Sequence, residues 1–177
     1  MLKEKVIILC KWIQKALLGS VVLLISINIC ILIMGYRGYW INITNSMPIG
    51  IYKEIESLKI PKYSYVLICK EDESIKRTKN AIYYCDDGHQ PLLKIVVATE
   101  GDLVTINDEG IFVNRKKIRH TERLQKFRNV SFNIHDYKLR NNEYLVTGNS
   151  PYSWDSRYFG IVSGNDFLSP VVPVYLF

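Results

Sequence analysis

Between Ala16 and Met34 the chain reads ALLGSVVLLISINICILIM, a run with no charge and with Asn28 as its one strongly polar side chain. As a helix rising about 1.5 Å per residue it would extend about 28 Å, close to the hydrocarbon thickness of a bilayer. A run of this kind is either a core helix or a membrane span. Lys3, Lys5, Lys11 and Lys15 precede it, while Tyr36, Tyr39 and Trp40 follow it. Basic residues on the cytoplasmic side and aromatic rings at the far interface are the asymmetry of a single span, and they argue against a core helix. A cleavable signal peptide has a shorter apolar stretch and a small-x-small site, which IMGYRGYW at 33–40 does not offer. The expected organisation is a basic cytoplasmic tail at 1–15, a transmembrane anchor at 16–35 and an extracytoplasmic domain at 36–177. The lipid bilayer is then one partner, and the expected location is the cytoplasmic (inner) membrane, crossed once with the amino terminus inside.

Beyond the span the apolar residues come in short runs, and no second long helical pattern follows. YSYVLIC (63–69) and LLKIVVA (92–98) are rich in β-branched and aromatic residues, as buried strands are. Leu103–Ile106 and Ile111–Val113 alternate around Asp108-Glu109-Gly110 and read as a hairpin. EYLVTG and the tail PVVPVYLF add two more strands. Glu71–Asn80 reads as a short helix or loop, and Thr121–Asn142 as a polar excursion. The expected fold class is a mostly β domain of antiparallel sheets behind one N-terminal transmembrane helix, with its edges managed by folding on itself.

With 177 residues and 48% hydrophobic content the chain can bury a core. It carries 23 Lys and Arg against 17 Asp and Glu, with clusters at Lys76-Arg77-Lys79 and Arg115-Lys116-Lys117-Arg119. Without finger spacing, a phosphate loop or a helix-turn-helix pattern, these are solvated turns, and no nucleic-acid partner is expected. Cys10 and Cys30 fall before and within the span. Cys69 and Cys85 fall in the exported part, where disulfides persist, so they form either a bridge, the favoured reading, or two buried thiols.

Two residues suggest chemistry. Ser46 lies in ITNSMPIGIY shortly after the span, and Lys94 interrupts the apolar run LLKIVV. Taken alone, Lys94 is best read as snorkelling to solvent. Buried, it would be held towards its neutral form, and a neutral amine is a general base. A serine needs a base, and Ser-Lys is a recognised variant of triad chemistry.

SMP after the anchor, LLKIVVATEGD further on and GNSPYSWDSRYFGIV near the end resemble, in order, the three boxes of the type I signal peptidase superfamily. Pro48 directly after Met47, and CDDGHQPLLKIV leading into the lysine, are most similar to the conjugative-transfer pilin peptidase branch, the TraF type. The chain departs from the broader pattern in two places. Lys94-Ile95 stands where Lys-Arg is usual, and Gly148-Asn149-Ser150 stands where ordinary signal peptidases carry Gly-Asp-Asn.

The resemblance implies a membrane-anchored serine endopeptidase, with Ser46 as nucleophile and Lys94 as general base. Thr44 would stand near the oxyanion and Ser153 would orient the lysine amine. Asp155 and Arg157 would form a supporting ion pair, and Cys69 would be the partner cysteine of the approach to the lysine. No metal or organic cofactor is implied. The implied partner is an exported precursor, a preprotein or pre-pilin, bound as an extended strand beside the one containing Ser46 and released by hydrolysis or by cyclisation. The alternative is a catalytically silent anchored β-domain that assists pilus or secretion assembly. A self-cleaving repressor would carry DNA-binding helices in place of the apolar span.

Overall fold

The computed structural model describes residues 2–57, 59–70, 85, 90–125, 127 and 132–177, and for 2–9 the backbone alone. The expected helix or loop at Glu71–Asn80 lies outside the described residues. The described chain divides into two compact units, Met1–Gly38 and Tyr39–Phe177.

The first unit is helix α1, Leu2–Tyr36, which takes in the basic stretch as well as the apolar run. Its segment Cys10–Tyr36 is long and apolar enough to cross a bilayer, and it fits a single-pass anchor. Three polar side chains of the apolar run turn back onto the helix. Ser20 donates to the Leu17 carbonyl, Ser26 to that of Val22 and Asn28 to that of Leu24, at 2.7, 2.9 and 2.8 Å. These three donors are thereby satisfied within the helix, as a lipid surrounding requires.

The second unit is mostly β. Its strands are β1 (Tyr39–Asn42), β2 (Gly50–Glu54), β3 (Tyr65–Ile68), β4 (Leu92–Ala98), β5 (Leu103–Asn107), β6 (Gly110–Val113), β7 (Lys116–Lys117), β8 (Ile134–Lys138), β9 (Glu143–Thr147), β10 (Val162–Ser163) and β11 (Phe167–Leu176). One short helix, α2 (Ser156–Phe159), lies between β9 and β10. A seven-stranded sheet runs β1-β2-β11-β3-β4-β9-β10 and a four-stranded sheet runs β7-β6-β5-β8. The pairings are antiparallel, as the alternating and short apolar runs led us to expect.

The apolar runs face three clusters. Val97, Val104, Ile106, Ile111, Ile134 and Leu145 join the two sheets. Val66, Ile68, Val96, Val146 and Val162 pack together, while Met47, Tyr52, Leu67, Leu93 and Val171 form the third group. Strands β3 and β4 therefore contribute apolar side chains to more than one cluster, which is why their sequences lack a clean polar face. Strand β11 carries Pro170 and Pro173 although it is internal. It pairs with β3 through Phe167–Val171 and with β2 through Val171–Leu176, with register shifts along both pairings. Such irregularities are where a sheet tolerates residues that cannot donate.

The reading of Thr121–Asn142 as a polar excursion needs correction. It contains β8, which pairs with β5. The strand reads IHDYK, and only Ile134 of it is buried, so nothing but its pairing partner distinguishes it from a loop. The same region buries Thr121 and Arg123 at 0% and 5% exposure. Cys69 and Cys85 are joined by a disulfide across a separation of 16 residues, with Cα atoms 5.5 Å apart. Closing a loop of that length removes denatured-state freedom worth about 3 kcal/mol.

Candidate active site

Ser46 lies in the connection between β1 and β2 and not in a strand, which corrects the expectation that a substrate would add beside a strand containing it. The next residue, Met47, is buried at 2% exposure with Tyr52 and Leu93, so the loop is anchored from below. The loop is built around Asn42, the last residue of β1, which is 9% exposed. Its amide N–H groups are shared among the carbonyls of Thr44, Met47 and Pro48, each at 3.0 Å. Its Oδ1 accepts from the Thr44 backbone N–H at 3.1 Å and from the Thr44 hydroxyl at 2.7 Å. The Tyr52 hydroxyl also donates to the Pro48 carbonyl, at 2.7 Å. Within this frame the Ser46 Oγ lies 3.0 Å from the Thr44 Oγ1.

Lys94 lies in the middle of β4 and is 2% exposed, so it does not snorkel. It pairs with Val66 of β3 on one side. On the other side, Ile95 pairs with Thr147, and continuing that antiparallel register sets Gly148 opposite Lys94. The Lys94 Nζ donates to the Ser153 Oγ at 2.9 Å. Burial pulls its pKa down to about 8, with Asp155 raising it and Arg157 lowering it by smaller amounts. Desolvation wins because the two neighbouring charges belong to one ion pair and largely cancel at the lysine.

That pair is bidentate and fully buried. Arg157 Nε donates to Asp155 Oδ1 and Nη2 to Oδ2, both at 2.8 Å. The remaining guanidinium N–H groups reach the carbonyls of Ser153, Pro151, Ser150, His120 and Glu122. Asp155 in turn accepts from the Gly148 N–H at 2.9 Å and caps α2 by accepting from the Arg157 N–H. With every donor occupied, the two charges are tolerated where an isolated one would not be. The pair thereby holds the segment that carries Ser153.

The two halves meet at Gly148. A Cβ on this residue would overlap the Ser153 side chain and the Ser46 carbonyl at once. That carbonyl also accepts from the Asn149 N–H at 2.7 Å. The Ser46 carbonyl and Ser153, the hydrogen-bond partner of Lys94, thus crowd the same face of one glycine. Among the described residues the Ser46 hydroxyl is hydrogen-bonded to Thr44 and the Lys94 amine to Ser153, with no direct bond between them. Free enzymes often hold such groups looser than the reacting complex does.

Sequence reading missed three residues of this arrangement. Asn42 was detectable as an asparagine two residues before a threonine, where its side chain bonds forward to the backbone. Gly148 stood in a recognised box, but its part was not legible, because its lack of a Cβ matters only through Ser153 and Ser46. Arg123, whose Nε donates to the Arg157 carbonyl at 3.0 Å, lay in the stretch read as an excursion.

The chain thus joins an apolar helix to an antiparallel β unit that holds a serine loop and a buried amine. The family model described as signal peptidase, peptidase S26, matches residues 10–176. The chain belongs to that family and is a serine peptidase of the signal peptidase type. It is similar to a plasmid transfer protein TraF of Escherichia coli, at 28% identity over 79% of this chain and 84% of that one. A second Escherichia coli plasmid transfer protein TraF is 27% identical over 77% of this chain and 82% of its own length. A crystal structure of a signal peptidase I from Enterococcus faecalis V583 aligns with 66% of this chain and 100% of its own, at 19% identity and a TM-score of 0.38.

Proposed function

We propose that the chain is a membrane-anchored endopeptidase that cleaves exported precursors with Ser46 as nucleophile and Lys94 as general base. The observation that carries this reading is the lysine. An amine 2% exposed, pulled down to about 8 and held at 2.9 Å by Ser153, lies beside the glycine on which the Ser46 carbonyl rests. A base poised near working pH is what general-base catalysis needs.

The neutral Lys94 amine donates one N–H to Ser153 and turns its lone pair towards Ser46. The Ser46 hydroxyl leaves Thr44 and gives its proton to that lone pair as Oγ attacks the scissile carbonyl. The ammonium returns the proton to the departing amine, leaving an ester on Ser46. Lys94 then takes a proton from the group that attacks the ester and passes it to Ser46 Oγ as the ester C–O bond breaks. Water releases an acid, and an amine of the same chain releases a cyclic product that is one water lighter. Asp155 and Arg157 act through the loop, keeping Ser153 in place.

The precursor binds extended, adding to β1, which is an edge strand of its sheet and leads into the Ser46 loop. Small side chains at alternate positions fit such a mode. Helix α1 crosses the inner membrane with its lysines on the cytoplasmic side, placing the β unit outside. The two plasmid transfer relatives favour a transfer-system precursor, such as a pilin, over the general pool of secreted proteins.

The test is intact-mass analysis of exported proteins from cells carrying the wild-type chain or Ser46→Ala. A precursor that stays uncut only with the variant supports the reading, and its processed mass separates hydrolysis from cyclisation. Identical masses in both strains would overturn it and favour a silent domain that assists assembly.

A further inference from the structure

The dyad reading makes no use of Asn42, yet among the described residues no other side chain makes as many hydrogen bonds to the Ser46 loop. Its orientation is fixed by its partners. Flipping the amide would set its NH2 against the Thr44 N–H and its oxygen against three carbonyls. Its Oδ1 can only accept, so the single hydroxyl proton of Thr44 is committed to Asn42 at 2.7 Å. The Thr44 oxygen therefore faces Ser46 as an acceptor, and the Ser46 hydroxyl is the donor across their 3.0 Å contact.

We propose that Asn42 is a positioning residue for Ser46, setting through Thr44 both where the Ser46 hydroxyl sits and which way its proton points. The proposal rests on Ser46 being the nucleophile. It also changes the part given to Thr44, whose hydroxyl steadies Ser46 and, while bonded to Asn42, has no proton to offer an oxyanion. The chain Asn42, Thr44, Ser46 keeps the nucleophile parked at Thr44 until a bound substrate draws it across to Lys94. Because Asn42 also pins three carbonyls, the loop keeps its shape while that one hydroxyl moves.

The experiment is steady-state cleavage of a peptide with alanine at the first and third positions before the scissile bond, by the full chain in detergent. Asn42→Ala should lower kcat about 10- to 100-fold, the scale of a small misplacement of a reacting group. KM should stay within about twofold, since no substrate contact is removed. Thr44→Val keeps the shape, removes the oxygen and should lower kcat similarly, while Thr44→Ser should retain it. The double variant should lose no more than the worse single one, because both act through the same bonds. Losses that multiply, or an Asn42→Ala enzyme with full kcat, would overturn the proposal. Thr44→Val leaves the loop's backbone bonds in place, so an unchanged kcat there overturns it even if Asn42→Ala does not fold. A peptide left uncut by the wild-type chain overturns the nucleophile reading and this proposal with it. Wild-type cleavage with an unimpaired Asn42→Ala enzyme overturns this proposal alone.

Discussion

Ser46 stands half-exposed in a loop held by neutral hydrogen bonds, whereas Lys94 lies 2% exposed in mid-strand beside an ion pair that is not exposed at all. A neutral hydrogen bond contributes about 1 kcal/mol net, so the serine hydroxyl can exchange one partner for another cheaply. A buried guanidinium and carboxylate cannot, since separating them strands a charge. On the proposed reading, the difference assigns mobility to Ser46 as nucleophile and rigidity to Lys94 as base. In such a site the base is tuned by where the fold puts it, and the nucleophile by which partner it holds.

The largest expected effect comes from removing that base. Lys94→Ala should reduce cleavage by about 10⁴-fold or more, the scale seen when a member of a catalytic unit is deleted. Lys94→Arg should not restore it, because a guanidinium stays protonated and cannot accept the Ser46 proton. Thermal unfolding of Lys94→Ala should show a fold as stable as the wild type or slightly more so. Substantial turnover by Lys94→Arg would sink the lysine-base mechanism.

Breaking the ion pair tests the rigid half. Asp155→Ala leaves Arg157 buried and unpaired and should cost about 3–5 kcal/mol in denaturant unfolding. Where Asp155→Asn still folds, it should shift the midpoint of the rate profile below that of the wild type, because Asp155 raises the Lys94 pKa and Arg157 lowers it. A midpoint that moves upward would contradict the electrostatic account.

The pH dependence follows from the same lysine. Activity should climb through about pH 8 as the amine becomes neutral. Below that value Lys94 is charged in both folded and unfolded chains, and burying it costs stability. Between about 8 and the ordinary 10.5 only the folded lysine has lost its proton, so the lysine's contribution to stability should rise with pH across that window. The full gain is on the order of 3 kcal/mol. Unfolding titrations across that range check the sign, and a rate flat from about pH 6 to 9 would exclude Lys94 as the base.

Smaller effects sharpen the boundary between the halves. Gly148→Ala should cost about 1–3 kcal/mol of stability, as overpacking does. It should also lower kcat by pushing the Ser46 carbonyl and Ser153 apart. Replacing Cys69 and Cys85 together by serine should cost about 3 kcal/mol while leaving the activity of the folded fraction intact. Loss of activity in that fraction would mean the bridge shapes the site and not only the stability.

The apolar helix and the strands around Leu67, Val96, Ile106 and Leu145 were legible in the chain, and so was the candidate pair Ser46 and Lys94. Each rests on local information, namely an uncharged run of membrane length, short β-branched segments, or short boxes in a familiar order. Strands β1, β2, β7, β8 and β10 were not legible. They are short or mostly polar, and only their partners make them strands.

By itself the sequence determined that one segment suits lipid, that the remainder must fold as paired strands, and that a serine and a lysine are available. It left undecided whether Lys94 reaches solvent, because LLKIVV fits a snorkelling lysine as well as a buried one. Tertiary structure decided that by packing β3 and β9 on either side of β4 and closing the 150–157 segment over the amine. It also decided that Gly148 is the contact between the halves and that Asn42 frames the serine loop. The physical reason is the same in each case. Burial and hydrogen-bond partners are set by residues far apart in the chain, and no local pattern records which groups the fold will bring together.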